Sequence, residues 1–186
     1  MTAAGAPAAP WRLFVALRVP RAVADPLSTV ARSALAPGAR VRWVDPADLH
    51  LTLWFIGPVT PSELPGVADR VAGAAASVRP VECRVAGTGT FGRGRASAAW
   101  VGLAEPGAAA VAALAGQLTG GAPHQAHITV CRGVPAAFAA DLEAALTAHR
   151  TLAWRATTLQ ILRSHPGRRP AYETVGAFAL GTGATA

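Results

Sequence analysis

Apolar positions recur along this chain with two periods, and the period changes from segment to segment. Residues 11–19 (WRLFVALRV) are a near-continuous run of β-formers stopped by Pro20, which predicts a strand. Residues 22–35 carry apolar side chains at helical spacing and run into Pro37-Gly38, which predicts a helix and its end. A short strand is expected at 41–44 and a stronger one at 49–56 (LHLTLWFI), closed by Gly57-Pro58. An Ala-rich helix follows at 62–77, then strands at 81–90 and 97–104 joined by the loop FGRGR. The remainder predicts a helix at 107–118 before a Gly-Gly turn, a strand at 126–132, a helix at 136–148 and strands at 153–163 and 171–180.

Helices and strands are mixed, and several strands are neighbours in sequence. That order favours an α+β fold with antiparallel sheets over a doubly wound parallel one. Two stretches share a plan: an alternating strand carrying His-x-Thr, a turn with Gly and Pro, then an Ala-rich helix. They lie 77 residues apart and predict two lobes of similar build. No inter-domain linker is evident, so residues 11–186 read as one domain. Residues 1–10 (MTAAGAPAAP) lack a basic start and an apolar core; they read as a disordered tail and not as a secretory signal.

Strand parity makes the two His-x-Thr motifs informative, because residues i and i+2 of a strand share a face. In LHLTL, Leu49, Leu51 and Leu53 form a core-facing row, and His50 and Thr52 share the opposite face. In AHITV, Ala126, Ile128 and Val130 make the buried row, and His127 and Thr129 face the other way. Each strand thus offers an imidazole beside a hydroxyl on a support held rigid by its apolar back. Two imidazoles suit phosphodiester cleavage without a metal. One takes a proton from the attacking water or hydroxyl, and the other gives one to the leaving oxygen. The threonines can donate hydrogen bonds to phosphate oxygens as charge builds there.

The other histidines read differently. His149 falls at a helix end and His165 in a turn before Pro166-Gly167. His124-x-x-His127 has a spacing that could hold a metal if carboxylates joined it, yet no third ligand is evident nearby. Asp45 and Asp48 read as turn and capping residues. Cys83 and Cys131 form no disulfide or metal pattern and read as buried free thiols in a reducing cytoplasm.

Composition narrows the chemistry further. All 17 basic residues are arginine, against 10 acidic ones, for a formal charge of +7. A basic surface favours encounter with anions such as RNA or nucleotides. The absence of lysine excludes a Schiff-base enzyme, a ligase that forms a lysyl-nucleotide and a P-loop.

The pair HLTL (50–53) and HITV (127–130) resembles the doubled signature of the 2H phosphoesterases. Within them the chain is most similar to the bacterial RNA 2′,3′-cyclic phosphodiesterases, also called 2′-5′ RNA ligases. RLFVAL (12–17) resembles their opening strand, and WVDPADLHLTLWFIGPV (43–59) their first motif region, with Trp54 where a lysine is common. GTGTFGRGRASAAWVGL (87–103) resembles their Gly-Phe loop, HITVCR (127–132) their second motif with its arginine, and LQILRSHPGRRPAYETVGAF (159–178) their closing hairpin.

The resemblance implies a bilobal α+β fold, with two antiparallel sheets facing a central cleft and helices outside. It implies catalysis by His50 and His127, with no cofactor and no metal, and substrate binding by Thr52, Thr129, Arg132 and Phe91. Our own expectation is that His127 activates water and His50 protonates the leaving 3′ oxygen, an assignment that the near-symmetry of the two motifs leaves open. Phe91 would stack a base, and Arg93 and Arg95 beside it would meet RNA phosphates or solvent. The implied partner is RNA or a nucleotide with a 2′,3′-cyclic phosphate, opened to a 2′-phosphate. The reverse reaction would be an ATP-independent ligation; apart from the resemblance, the sequence itself leads us to expect a cytoplasmic monomer with no membrane span. Two other readings stay open: a non-catalytic RNA or nucleotide binder, and a 2H enzyme for a small cyclic phosphate. Arg132 raises a question of parity. It lies five residues after His127, so strict alternation puts it on the opposite face unless a bulge, the strand's end or its own length brings it round.

Overall fold

The computed structural model describes residues 9–135, 137–147 and 152–181. The expected tail at residues 1–8 and the helix end at His149 lie outside the described residues. The described elements, in order, are β1 (Trp11–Arg18), α1 (Arg21–Ser33), β2 (Arg42–Trp43), β3 (His50–Val59), α2 (Leu64–Ala76), β4 (Val81–Phe91) and β5 (Ala98–Leu103). They continue with α3 (Gly107–Thr119), β6 (Ile128–Arg132), α4 (Phe138–Thr147), β7 (Ala153–Ala156), β8 (Thr158–Ser164) and β9 (Tyr172–Ala179). The fold is α+β, and every strand pair is antiparallel.

One lobe carries the strand order β3-β1-β8-β9, and the other carries β7-β4-β5-β6 with β2 beside β6. The two meet where β3 touches β6 through one registered pair, Leu51 with Ile128. The expected two sheets are therefore joined at that pair into one strongly curled sheet. Connectivity repeats across the join. β1, α1, β3 and α2 follow one another as β5, α3, β6 and α4 do, and in each set the two strands are paired neighbours.

β1 is buried on both faces, which is why its sequence reads as an unbroken apolar run. Leu13, Val15 and Leu17 join the main core, while Phe14 and Ala16 pack with Leu162 and Tyr172 on the other side. The helices cover the outer face. α1 turns Val23, Leu27, Val30 and Ala31 inward, and α3 does the same with Val111, Leu114, Ala115 and Leu118. α3 ends at Gly120, whose φ of 75° is left-handed, as the Gly-Gly turn predicts. Cys83 and Cys131 are free and buried, and burial pushes both thiols up to about 12. Among the described residues no helix is long and apolar enough to cross a membrane.

Two expectations change. The segment 153–163 is not one strand: β7 pairs with β4 in one lobe, and after Thr157 β8 pairs with β1 and β9 in the other. A period-2 pattern continues across such a crossing, so nothing in it marks the change of partner. β3 also runs on through Gly57 and Pro58 to Val59. Past Leu51 only the β1 edge of β3 is paired, so the missing N–H of Pro58 and the left-handed φ of 91° at Gly57 are tolerated.

Gly89 in β4 is a packing requirement. It pairs with Trp100 of β5, and a Cβ there would run into the indole ring. Gly89→Ala is expected to lower stability by about 1–3 kcal/mol. It should also alter near-ultraviolet circular dichroism from Trp100, both measurable by denaturant titration.

Candidate active site

The site forms where the sheet curls at the join. Leu51 and Ile128 are fully buried, and so are their alternation partners Leu49, Leu53 and Val130, each at 3% exposure or less. The residues between them turn to the concave face as parity predicts. His50, Thr52, His127 and Thr129 line one cleft of about 410 Å³. His50 opens β3, and His127 sits one residue ahead of β6, which is shorter than the expected 126–132. Pairing Leu51 with Ile128 in antiparallel register sets His50 opposite Thr129 and Thr52 opposite His127. Each imidazole therefore has the other motif's hydroxyl as its cross-strand neighbour.

Both strands then break register at the same place. In β3, Ala16 pairs with Thr52 and Val15 with Trp54, so Leu53 is an extra residue. In β6, Trp100 pairs with Thr129 and Ala99 with Cys131, so Val130 is extra. Each bulge falls three residues after the motif histidine and inverts the parity beyond it. The residue five after each histidine is brought to the cleft: Phe55 in one lobe and Arg132 in the other, both lining it. This geometry places Arg132 on the cleft wall despite its odd spacing from His127. It also adds a residue that sequence reasoning missed, because Phe55 is 76% exposed where alternation assigns it to the core. The signal available was LWFI itself, four apolar residues in a row that one buried face cannot all use.

The ring of each histidine is fixed in the same way. Nδ1 of His50 lies 2.7 Å from the Asp48 carbonyl oxygen, and Nδ1 of His127 lies 2.8 Å from that of Gln125. A carbonyl only accepts, so Nδ1–H is the donor in both, and each neutral ring keeps its proton there with Nε2 free. Aromatic neighbours hold the planes. His50 packs against Phe14 and edge-on against Tyr172, both with centroids 5.0 Å away. His127 meets Phe91 edge-on at 4.9 Å, and Phe91 stacks on Trp100 at 5.3 Å. Phe91, Ala98 and Arg132 form one cross-strand row, and the small Ala98 leaves space between the other two.

Charge separates the two motifs. Burial lowers His50 from its usual 6.5 to about 4, against the opposing pull of the Asp48 carbonyl. The positive charges of Arg18, His127 and Arg132 lower it further. Arg18 buttresses this side of the cleft. Its guanidinium donates to the Ala47 carbonyl at 2.8 Å and to those of Tyr172 and the Gln160 side chain at 3.3 Å. Asp48 is 4% exposed, and its carboxylate accepts from the Ala171 N–H at 3.2 Å. One residue therefore ties the His50 ring, through its carbonyl, to the turn before β9. Asp45 caps the intervening 3-10 turn, accepting from the Ala47 N–H at 2.9 Å.

The remaining candidates stand apart. Arg93 is exposed, and the side chain of Arg95 lies outside the described ones. His165 is in its expected turn, with Nε2 2.8 Å from the Glu173 carboxylate. The His124 ring is half-buried with an unpartnered Nε2, and burial lowers it below the usual histidine value. Among the described residues no three His, Cys, Asp or Glu side chains converge as a metal site would need.

The chain thus has a curled α+β sheet that carries paired His-x-Thr strands across its cleft. Residues 17–100 match the family model described as LigT like Phosphoesterase. An RNA 2′,3′-cyclic phosphodiesterase of Geobacillus stearothermophilus is 31% identical over 150 residues, covering 74% of this chain and 47% of that protein. One from Methanothermobacter thermautotrophicus is 28% identical over 96 residues, or 51% of this chain and 52% of that one. The chain spans about half the length of the curated relatives it matches. Among solved structures, Escherichia coli LigT complexed with phosphate superposes with a TM-score of 0.72 at 22% identity, covering 94% of this chain and 99% of that one. Residues 17–100 are thus similar to the LigT-like phosphoesterases, and the fold is that of the solved LigT structures.

The lowered value of His50 links stability to pH. Between about 4 and 6.5 the unfolded chain binds a proton that the folded ring does not. Stability should therefore rise with pH across that window. Subtracting the pH dependence of His50→Gln from that of the parent, by thermal melts, should leave a difference that grows as pH falls through it. A constant difference would mean that the folded ring protonates as easily as a free one.

Proposed function

We propose that the protein is a phosphodiesterase that opens 2′,3′-cyclic phosphates at RNA ends to 2′-phosphates. The observation that carries this is the pair of half-buried imidazoles in one cleft, each with Nδ1–H held by a backbone carbonyl and Nε2 left for proton transfer. The names of the curated relatives support the substrate class.

The reaction forms one bond and breaks one. Water oxygen attacks phosphorus, the bond from phosphorus to the 3′ oxygen breaks, and the phosphate stays on the 2′ oxygen. One imidazole accepts the proton of water, and the other donates to the departing 3′ oxygen. Thr52 and Thr129 donate hydrogen bonds to the non-bridging oxygens, Arg132 offsets their growing charge, and Phe91 offers a face to the base. Burial leaves His50 uncharged near neutrality, so it suits the accepting role. His127 then donates, the reverse of the assignment expected from the sequence. With a ribose 5′-hydroxyl in place of water, the same steps make a 2′-5′ linkage without ATP.

His50→Ala and His127→Ala should each lower kcat on a 2′,3′-cyclic nucleotide by about 10²–10⁴-fold, the usual worth of one acid–base group. Circular dichroism should show the fold retained, and the parent's product should be the 2′-phosphate. An aryl phosphodiester whose leaving group needs no proton separates the roles. Activity lost in His127→Ala should largely return on it, and that lost in His50→Ala should not. Parent-level turnover by either variant on the cyclic substrate would exclude the two-histidine mechanism. Tight binding of the cyclic end by the parent, without turnover, would favour the non-catalytic binder.

A further inference from the structure

A second, larger groove of about 760 Å³ runs out of the cleft, and Arg12, Ser164 and Tyr172 line both spaces. Arg12, Arg163, Arg168 and Arg169 line this groove with one acid among the described residues, Glu173, and Arg168 and Arg169 also border a neighbouring hollow that holds Asp45 and Asp48. Glu173 is already engaged, with His165 at 2.8 Å and Arg163 at 3.8 Å. Arg163 also lies over the Trp11 ring, 4.3 Å from its centroid. Arg168 and Arg169 are exposed neighbours on one turn, and neither has an acidic partner among the described residues. Two adjacent cations without a counter-ion repel each other, and an anion between them relieves that.

The turn that carries them is firmly held. The His165 N–H donates to the Ala171 carbonyl at 2.8 Å, and the Arg168 N–H donates to that of His165 at 3.1 Å. The Ala171 N–H reaches the carboxylate of Asp48, whose carbonyl fixes His50. The arginines therefore stand at a set distance from the reacting histidine. A row of cations leading to a phosphodiester site, spaced along a groove and backed by an indole, matches the repeating charge of a polynucleotide.

We propose that this groove, through Arg168 and Arg169, holds the RNA strand 5′ to the cyclic-phosphate end, and that these two residues set a preference for an oligonucleotide over a lone nucleotide. The inference rests on the hydrolase reading above and names residues outside the cleft that set its substrate preference.

The test compares the parent with the double variant Arg168→Ala/Arg169→Ala, which leaves every cleft residue in place. On a 2′,3′-cyclic mononucleotide kcat/KM should stay within about twofold of the parent. On an RNA oligonucleotide ending in a 2′,3′-cyclic phosphate it should fall about tenfold or more. Loss of two phosphate contacts should also lower the slope of log affinity against log salt by about 1.4, at about 0.7 per single-strand contact. Arg168→Lys/Arg169→Lys should recover most of the oligonucleotide activity, since a point charge suffices for phosphate. Equal losses on both substrates, or none on either, would overturn the proposal. Fluorescence anisotropy with a labelled RNA oligonucleotide reads the groove without turnover. A parent that binds the oligonucleotide in an Arg168/Arg169-dependent way but hydrolyses neither substrate keeps the groove and defeats the hydrolase reading. Equal binding by parent and double variant defeats the groove alone. An acidic peptide bound as tightly as the RNA, in the same arginine-dependent way, would also overturn it.

Discussion

β3 and β6 touch through one registered pair, Leu51 with Ile128, and the cleft depends on that contact. Both side chains are fully buried. The residues on either side of them are the histidines and threonines, so the join of the sheets and the join of the motifs are one feature. A longer ladder would flatten the sheet there and carry the two faces apart. A single pair lets the lobes curl toward each other while the backbone fixes which residues stand opposite. Repeating connectivity on the two sides makes the arrangement nearly two-fold, with His50 across from Thr129 and Thr52 across from His127.

What the near-symmetry leaves unequal is the chemistry. Matching bulges at Leu53 and Val130 deliver an aromatic ring from one strand and a guanidinium from the other. The ring of His50 is packed between Phe14 and Tyr172 and surrounded by positive groups, which keeps it uncharged. His127 stands instead beside the Phe91–Trp100 stack. Packing and charge around the first motif thus lower the readiness of His50 to take a proton. Asp48 extends the asymmetry to the surface, since it links His50 to the turn that bears Arg168 and Arg169.

Much of this was legible in the chain. LHLTL and AHITV place their leucines, isoleucine and valine in the core and their histidines and threonines in the cleft, because side-chain direction in a strand has a strict period of two. The α+β class followed from the order of periods. The failures share one cause. Phe55, the reach of Arg132, the crossing at Thr157 and the course of β3 through Pro58 all depend on which strand lies alongside. A bulge is a mismatch between two strands, so neither strand's own sequence displays it.

The sequence by itself determined most of the elements, the paired motifs and the face that each motif residue takes, because those are local properties of the backbone. The tertiary structure decided what those faces meet. It set one histidine among buried rings and cations, turned Phe55 and Arg132 into the cleft, and aligned four arginines from separate segments along one groove. Burial, field and register are sums over neighbours distant in sequence, and they come into being only when the lobes close on the Leu51–Ile128 pair.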